Sequence, residues 1–425
     1  MTFQSHDRRA ALRSIAAAMA VLSLGACKLD ISNPNAATEQ GVLTSVAGIR
    51  ALAIGMQGRL SNSMEENIYI PGVVSGELGT STITQSTQRE FQNFPIASSN
   101  SAIEETNVDL LDIWAKNYGV VKTANDILDN IGGLTFAPGT QAGIVGLAKL
   151  YKAWAYGFLI EAFEKISIDG GATFVDRPTA LSEILSLLAS AKTDVTGTAL
   201  TTDFTGSILS PSFDLLNTIR AMQARYALAA GNYDAALGFA NEVPATASAL
   251  ISFGGADINP FNNLFHGQKF FGAISTYRSN AEAGDTRVDK FTKTAAVAPL
   301  GGATLFETNI FLTDAEPIPA FSQDELSLIR AEALARLNRL GEARDQINIV
   351  RARAGLPAKT AGDLPTQAAV LDEIFKQRTY SLFATGLHWA DERRFGKITL
   401  AKVRYLPYPF TVKATNPNTP APPAP

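Results

Sequence analysis

Three histidines, His6, His266 and His388, and one cysteine, Cys27, are the whole supply of side chains that most often hold transition metals. No two histidines share helical spacing, HExxH is absent, and a lone cysteine builds no thiolate cluster, so no metal site is expected. A serine nucleophile would need a base in reach, and G-x-S-x-G is missing, with only His266 and His388 to serve. Glu65-Glu66 and Glu104-Glu105 are adjacent pairs, and helix neighbours i and i+1 face different sides, so they read as solvated charges and not as an acid/base couple. GGATLFE and DGGATF lack the lysine and the strand-to-helix setting of a phosphate loop. The sequence therefore predicts a binder without catalytic residues or cofactor, not an enzyme.

Binding chemistry has better candidates. A sugar ring stacks its C–H face on an aromatic while Asn, Gln, Asp and Arg take its hydroxyls. Phe261, Phe265, Phe270, Phe271 and Tyr277 stand beside Asn259, Asn262, Asn263, Gln268 and Arg278, and Tyr69 stands beside Asn67. From these, Asn67, Tyr69, Phe261, Asn262, Phe265, Phe270, Tyr277 and Arg278 are the expected ligand contacts. A run rich in Phe and poor in Tyr or Trp also describes local core packing, and it suits a peptide or another less polar ligand slightly better than a glycan. Trp114 and Trp154 fall on apolar helix faces and read as core. Trp389 reads as structural, with Arg393 and Arg394 paired to Asp391 or Glu392 or placed against helix C-terminal carbonyls.

The elements that must position these groups are helices. MQARYALAAGNYDAALGFANEV, from Met222 to Val243, puts Ala224, Leu228, Tyr233, Ala236, Leu237 and Ala240 on apolar faces with a break at Gly231-Asn232. Small alanines at the contacts let two helices approach closely, as in tetratricopeptide repeats. From Ser322 to Gly355 the design recurs. Ser322 and Glu325 form a capping box, Leu326, Ile329, Ala333 and Leu337 a buried stripe, Gly341 the expected turn, and Ala343, Ile347 and Val350 the second stripe. A further pair is expected over 110–131 and 142–166, and helical segments over 37–62 and 366–385. Residues 67–100 and 245–320 lack helical period and are expected as irregular inserts that carry the binding surface. The fold class is thus mainly α, a tetratricopeptide-like scaffold of helical pairs with irregular loops and minor β insertions.

The ends of the chain add an address. Arg8, Arg9 and Arg13 precede an apolar run from Ile15 to Leu24, and Leu24-Gly25-Ala26-Cys27 closes it. This has the form of a secretory signal over 1–26 and resembles the lipobox of bacterial lipoproteins, with Cys27 as the lipidated, palmitate-bearing N-terminus. The apolar run is far shorter than the roughly 20 residues a spanning helix needs. Several acyl chains would anchor firmly. Lys28 stands where an aspartate would argue for inner-membrane retention. Residues 415–425 are mostly Pro, Ala, Asn and Thr and are expected to form a disordered tail after one domain over 27–414. The chain has 46% hydrophobic residues and a net charge of −4, without a basic stripe, which argues against nucleic acid as partner.

With these residues laid out, the chain resembles the SusD/RagB-like family of outer-membrane nutrient-binding lipoproteins. The resemblance rests on Cys27 followed by Leu29-Asp30 and Asn33-Pro34-Asn35; on Trp114, Tyr118, Val121 and Asn125; on GDTRVDKF from Gly284; on ELSLIRAEALARLNRLGEARDQINIVRARAGL; and on RTYSLFATGLHWADERRFGK from Arg378 to Lys397. Gln377 and Ser381 depart from glutamates common in the family, and His388 from an arginine, which should loosen a charge network at the last helix. The resemblance implies a helical platform overlaid by an irregular ligand region. It also implies an outer-membrane, surface-facing lipid anchor, an oligosaccharide or peptide ligand, and a SusC-like TonB-dependent barrel as partner. The alternative expectation is an envelope interaction scaffold with no small-molecule ligand.

Overall fold

The computed structural model describes residues 39–93, 103–255, 257–299, 304–398 and 404–421; Cys27 and the signal segment lie outside these residues. Its scaffold is a succession of helices, each packed on the next. α1 spans Val46–Val74, α2 Val108–Asn130, α3 Pro138–Ala162, α4 Arg177–Gly197, α5 Leu215–Ala229, α6 Tyr233–Asn241, α7 Gln323–Arg336, α8 Leu340–Arg353, α9 Gln367–Ser381 and α10 His388–Arg394. Neighbours in this order pack against one another from α1 to α6, α6 packs on α7 across the long insert, and α7, α8 and α9 close the row. The protein is mainly helical with a tetratricopeptide-like arrangement, as the pattern of apolar stripes predicts.

Local chemistry explains the element boundaries. Ser322 caps α7 by accepting from the Glu325 backbone N–H at 3.0 Å. Asn232 caps α6 through Ala235 N–H at 3.2 Å, just after Gly231 turns the chain at φ +74°. At the α5–α6 contact Ala224, Ala236 and Ala240 are fully buried, so no large side chain holds the two helices apart. The turn between α7 and α8 comes earlier than expected: Asn338 takes the left-handed conformation, at φ +59°, and Gly341 is already inside α8. Asparagine tolerates that region because its short amide can bond locally, which lets it replace glycine as the stop. α4 carries Asp176 as N-cap, Pro178 in its first turn and a buried stripe of Ala180, Leu181, Ile184, Leu188, Ala191 and Val195. These are ordinary local helix signals, and they add a helix to those the sequence analysis names.

Two further expectations need correction. Residues 67–74 are not an irregular insert but the last two turns of α1, which runs through Pro71. A proline inside a helix removes one ladder bond and is tolerated here because Glu66–Val74 are all buried against neighbouring elements. Beyond α1 the segment becomes strand β1 (Leu78–Thr80) and a short helix, Ser86–Asn93; residues 94–102 lie outside the described set. The tail does not leave the body at residue 415. Phe410–Thr415 is helical, and the amides of Asn416 and Asn418 both donate to the Ala172 carbonyl, at 3.1 and 3.2 Å. Polar side chains, not apolar burial, hold residues 416–421, which is why composition reads them as free; residues 422–425 lie outside the description.

The insert over 245–320 is irregular, as expected, and carries the minor β-structure. β2 (Phe271–Ile274), β3 (Thr292–Val297) and β4 (Leu305–Thr308) join β1 in an antiparallel sheet of order β1-β2-β4-β3. Its register sets Gly79 against Gly272 and Ala273 against Phe306, with an irregularity between Thr292 and Ala296.

Candidate functional site

A cavity of about 530 Å³ is enclosed by the scaffold on one side and the long insert on the other. That volume lies in the range typical of small-molecule sites. Trp154 and Phe158 on α3, Arg225 and Leu228 on α5, and Asp324, Glu325 and Ile329 on α7 form the helical walls. Lys290, Phe291, Phe311 and Phe321 come from the insert and its ends, while Arg378, Phe383, Gly386 and Asp391 come from α9, the following loop and α10. Each wall position follows from local structure. Trp154 and Phe158 sit one turn apart on α3 and stack, ring centroids 6.0 Å apart at 28°. Gly157 between them leaves the space that Tyr226 of α5 fills: a Cβ there would lie 1.8 Å from the Tyr226 hydroxyl oxygen.

The α9–α10 loop enters the wall by a second close approach. Pro71 has no N–H, so the Asn67 carbonyl is left out of the α1 ladder. Gly386, at φ +77°, packs on that carbonyl, where a Cβ would meet the oxygen at 2.2 Å. Only glycine satisfies both the left-handed backbone and the contact.

The electrostatics of the lining follow one rule: each oxygen of its five carboxylates already accepts a donor. Glu161 accepts from Arg177 and Arg393, both at 2.6 Å. Burial alone would raise its pKa, but the two guanidinium groups overcome that and hold it at about 2. Glu325 takes a forked pair of bonds from Arg225, at 2.6 and 2.8 Å. Asp391 accepts from Arg378 at 2.7 Å and from Arg394 at 2.8 Å, and these arginines keep it ionised against the burial that opposes them. Asp324 accepts from Arg353 and Ser381, both at 2.9 Å, and Glu316 from the backbone N–H groups of Phe311 and Leu312.

The donors are not so complete. Trp154 Nε1 and Arg378 Nη1, on side chains 2% and 3% exposed, have no hydrogen-bond partner among the described residues. Lys290 has no carboxylate partner among them either, and its ammonium rests 5.2 Å from the Phe291 ring centroid. The cavity therefore offers an aromatic interior, with the two unpaired N–H atoms buried within side chains of its wall.

The eight residues expected as ligand contacts fall elsewhere, with one exception. Asn67 lines the cavity, its side-chain amide paired reciprocally with that of Asn117 at 3.2 and 3.0 Å. Tyr69 is fully buried, stacked on Phe271 at 5.0 Å and edge-on to Phe91. Phe261 and Phe265 are buried behind the wall against Phe311, whose carbonyl accepts from Asn262 at 3.0 Å. Phe270 is half-buried and lends its carbonyl to Ser81 N–H. Tyr277 packs on Phe383, 4.6 Å between centroids. Arg278 holds Thr292 and Asp289 at 2.9 and 2.6 Å. These side chains brace the insert from behind; apart from Asn67 none faces the cavity.

Of two expectations about charges, one shifts. Arg394 pairs with Asp391 as expected and with Glu332 besides; Arg393 donates to the Glu161 carbonyl in the last turn of α3, the helix C-terminal contact expected, and adds an ion pair with the Glu161 carboxylate. The neutral Gln377 and Ser381 do not loosen the network: Arg287, paired with Asp285, donates to Gln377 Oε1 and Ser381 Oγ, both at 2.8 Å.

Residues 320–421 match the model of the SusD family. That stretch supplies α7, the α9–α10 loop and hence much of the cavity wall. Solved structures resemble the chain over nearly its whole length. A SusD superfamily protein from Bacteroides vulgatus ATCC 8482 is 15% identical, with a TM-score of 0.70 over 89% of this chain and 99% of that one. NanU of B. fragilis is 13% identical, at 0.68 over 92% and 99%. Surface glycan-binding protein A of Bacteroides thetaiotaomicron, in complex with laminarihexaose, is 13% identical, at 0.66 over 89% and 99%. No curated protein matches the sequence.

Proposed function

We propose, from the premise that this chain is SusD/RagB-like in its C-terminal sequence and in its fold, that it is a lipid-anchored outer-membrane protein that binds a nutrient and hands it to a SusC-like TonB-dependent barrel. The nutrient is an oligosaccharide or a peptide. One observation carries the reading: the segment with SusD-family sequence builds one wall of an enclosed, aromatic-lined cavity whose opposite wall is the irregular insert. A pure interaction scaffold has no use for such a cavity, whereas a binder requires one.

The anchor rests on Cys27 and its preceding Leu-Gly-Ala, and the described residues contain no helix long and apolar enough to cross a membrane. Binding without catalysis fits the lining, where the carboxylates are all neutralised by arginines or backbone donors and none is left as a general acid or base. Glycan binding is supported by the likeness to a protein solved with laminarihexaose.

The test is an array of oligosaccharides and short peptides probed with the full chain and with Ala390→Phe, which places a ring into the cavity from α10. Binding that the variant loses while keeping its helical circular dichroism supports the site. Binding that survives the variant moves it elsewhere.

A further inference from the structure

Trp114, Tyr118, Val121 and Asn125 follow one another along α2 at helical spacing, which puts them on one stripe of the helix. All four line a second cleft of about 390 Å³, separate from the larger cavity, at the small end of the range typical of small-molecule sites. The hairpin over 166–175 and the C-terminal helical segment Phe410–Thr415 complete it with Asp169, Phe174 and Thr415. Trp114, 9% exposed, lies deepest, with the half-buried rings of Tyr118 and Phe174 at 4.7 and 6.1 Å between centroids. Gly170 and Gly171 put bare backbone on the rim, and at Gly170 nothing lies within 4 Å of where a Cβ would be, so a ligand can approach closely.

Asp169 sets the chemistry of this cleft. Its Oδ1 accepts from Lys152 at 2.6 Å, Tyr156 at 2.9 Å and Asn125 at 3.0 Å. Partial burial opposes the charge, but these three donors outweigh it and hold the carboxyl below its usual range. One oxygen is thus fixed, while Oδ2 has no partner among the described residues, on a side chain 51% exposed. The amide oxygen of Asn125, half-buried beside it, has none there either. Lys152 neutralises Asp169, and Lys122 on the cleft's edge pairs with Asp126 at 2.8 Å, so the lining carries no net charge that would draw an ion. We infer that the cleft is a second binding site, for one ring of a neutral sugar. The C–H face of the sugar lies against the aromatic rings, one hydroxyl donates to Asp169 Oδ2, and a neighbouring hydroxyl bonds the Asn125 amide. The carboxylate is oriented before the ligand arrives, which spares the cost of ordering it on binding. This site stands independently of the reading of the larger cavity.

The probes are the methyl glycosides of β-D-glucose, β-D-galactose and α-D-mannose, each titrated against the full chain in lipid nanodiscs by saturation-transfer NMR, with empty nanodiscs as the blank. At least one should bind saturably with a Kd on the order of 1 mM, as a single ring with few hydrogen bonds allows. Asp169→Asn takes the charge from the hydroxyl's acceptor and should weaken that binding at least roughly tenfold. Because this change also leaves Lys152 without its carboxylate, a second variant is needed. Thr415 is exposed at the edge of the cleft, and Thr415→Trp should fill the space and abolish binding while keeping the parent's helical circular dichroism. Ala390→Phe, which blocks the larger cavity, should leave the glycoside affinity unchanged. A millimolar ring does not register on an array read at micromolar concentration, so the two sites are told apart. Absence of saturable binding by all three glycosides, or binding unmoved by Thr415→Trp or by Asp169→Asn, would overturn the inference. Glycoside binding lost in Ala390→Phe would place the ring in the larger cavity, which overturns the inference and leaves the nutrient-binding reading intact.

Discussion

Gly386 lies against the carbonyl oxygen of Asn67, so close that a Cβ would sit 2.2 Å from it. The contact joins the last-helix loop to the first helix, and both residues line the cavity. Pro71 makes the contact useful, because it withholds the N–H that would otherwise engage that carbonyl. Gly386→Ala should therefore destabilise the fold by about 2 kcal/mol or more, through the left-handed backbone and the clash together. Denaturant titration measures it. An alanine variant as stable as the parent would show that the loop can retreat without cost.

Glu77 is buried with no side-chain partner, and burial, aided by Asp391 and Glu392 nearby, outweighs the Ala384 backbone N–H that favours its ionised form and pushes its pKa up to about 8. A carboxyl whose folded pKa exceeds its unfolded value of about 4.5 makes the native state bind the extra proton. Its contribution to stability is full below about pH 4.5 and falls as pH rises toward 8. Glu77→Gln should remove that slope, raising the melting temperature at pH 8 and changing it little at pH 5. A variant less stable than the parent at pH 8 would mean that the buried carboxylate has a favourable partner.

Glu161 carries the opposite sign. Its folded pKa of about 2 lies below the unfolded value, so its stabilisation is present above about pH 4.5 and is lost as pH falls toward 2. Glu161→Gln leaves Arg177 and Arg393 without their shared carboxylate and should cost on the order of 3 kcal/mol at neutral pH. The loss should shrink on acidification, which thermal melts at pH 3 and pH 7 would reveal. An equal loss at both would assign the effect to packing.

Cys27 should carry the anchor. Cys27→Ser should move the chain from the detergent phase to the aqueous phase on cloud-point partitioning; retention of the variant in detergent would contradict lipidation.

How far these features could be read in advance depends on how local they are. Ser322 with Glu325, and Asn232 after Gly231, announce helix starts because a cap is decided within three residues. α4 has equally local signals, since the Asp176 cap and Pro178 in the first turn are decided within three residues. Asn338 could not be told from Gly341 as the turn residue, since both sit within the same few positions. The site was less legible. The Phe-rich run between 261 and 271 reads the same whether it faces a ligand or a core, and here it faces the core. Trp154 belongs to a buried stripe that the helical spacing shows, but the cavity it also lines is completed by residues from α5, α7 and the α9–α10 loop, distant in sequence. Arg393 meets Glu161 across 232 residues of sequence, a pairing that only the fold can arrange.

The measurement that tests the central claim most directly is capture of the full chain from gently solubilised native membranes, with its co-purifying proteins identified and quantified by mass spectrometry. Recovery of a large TonB-dependent barrel in near-equal amount is the predicted result. Recovery of envelope-assembly factors, or of the chain alone, would contradict the account and favour the interaction scaffold.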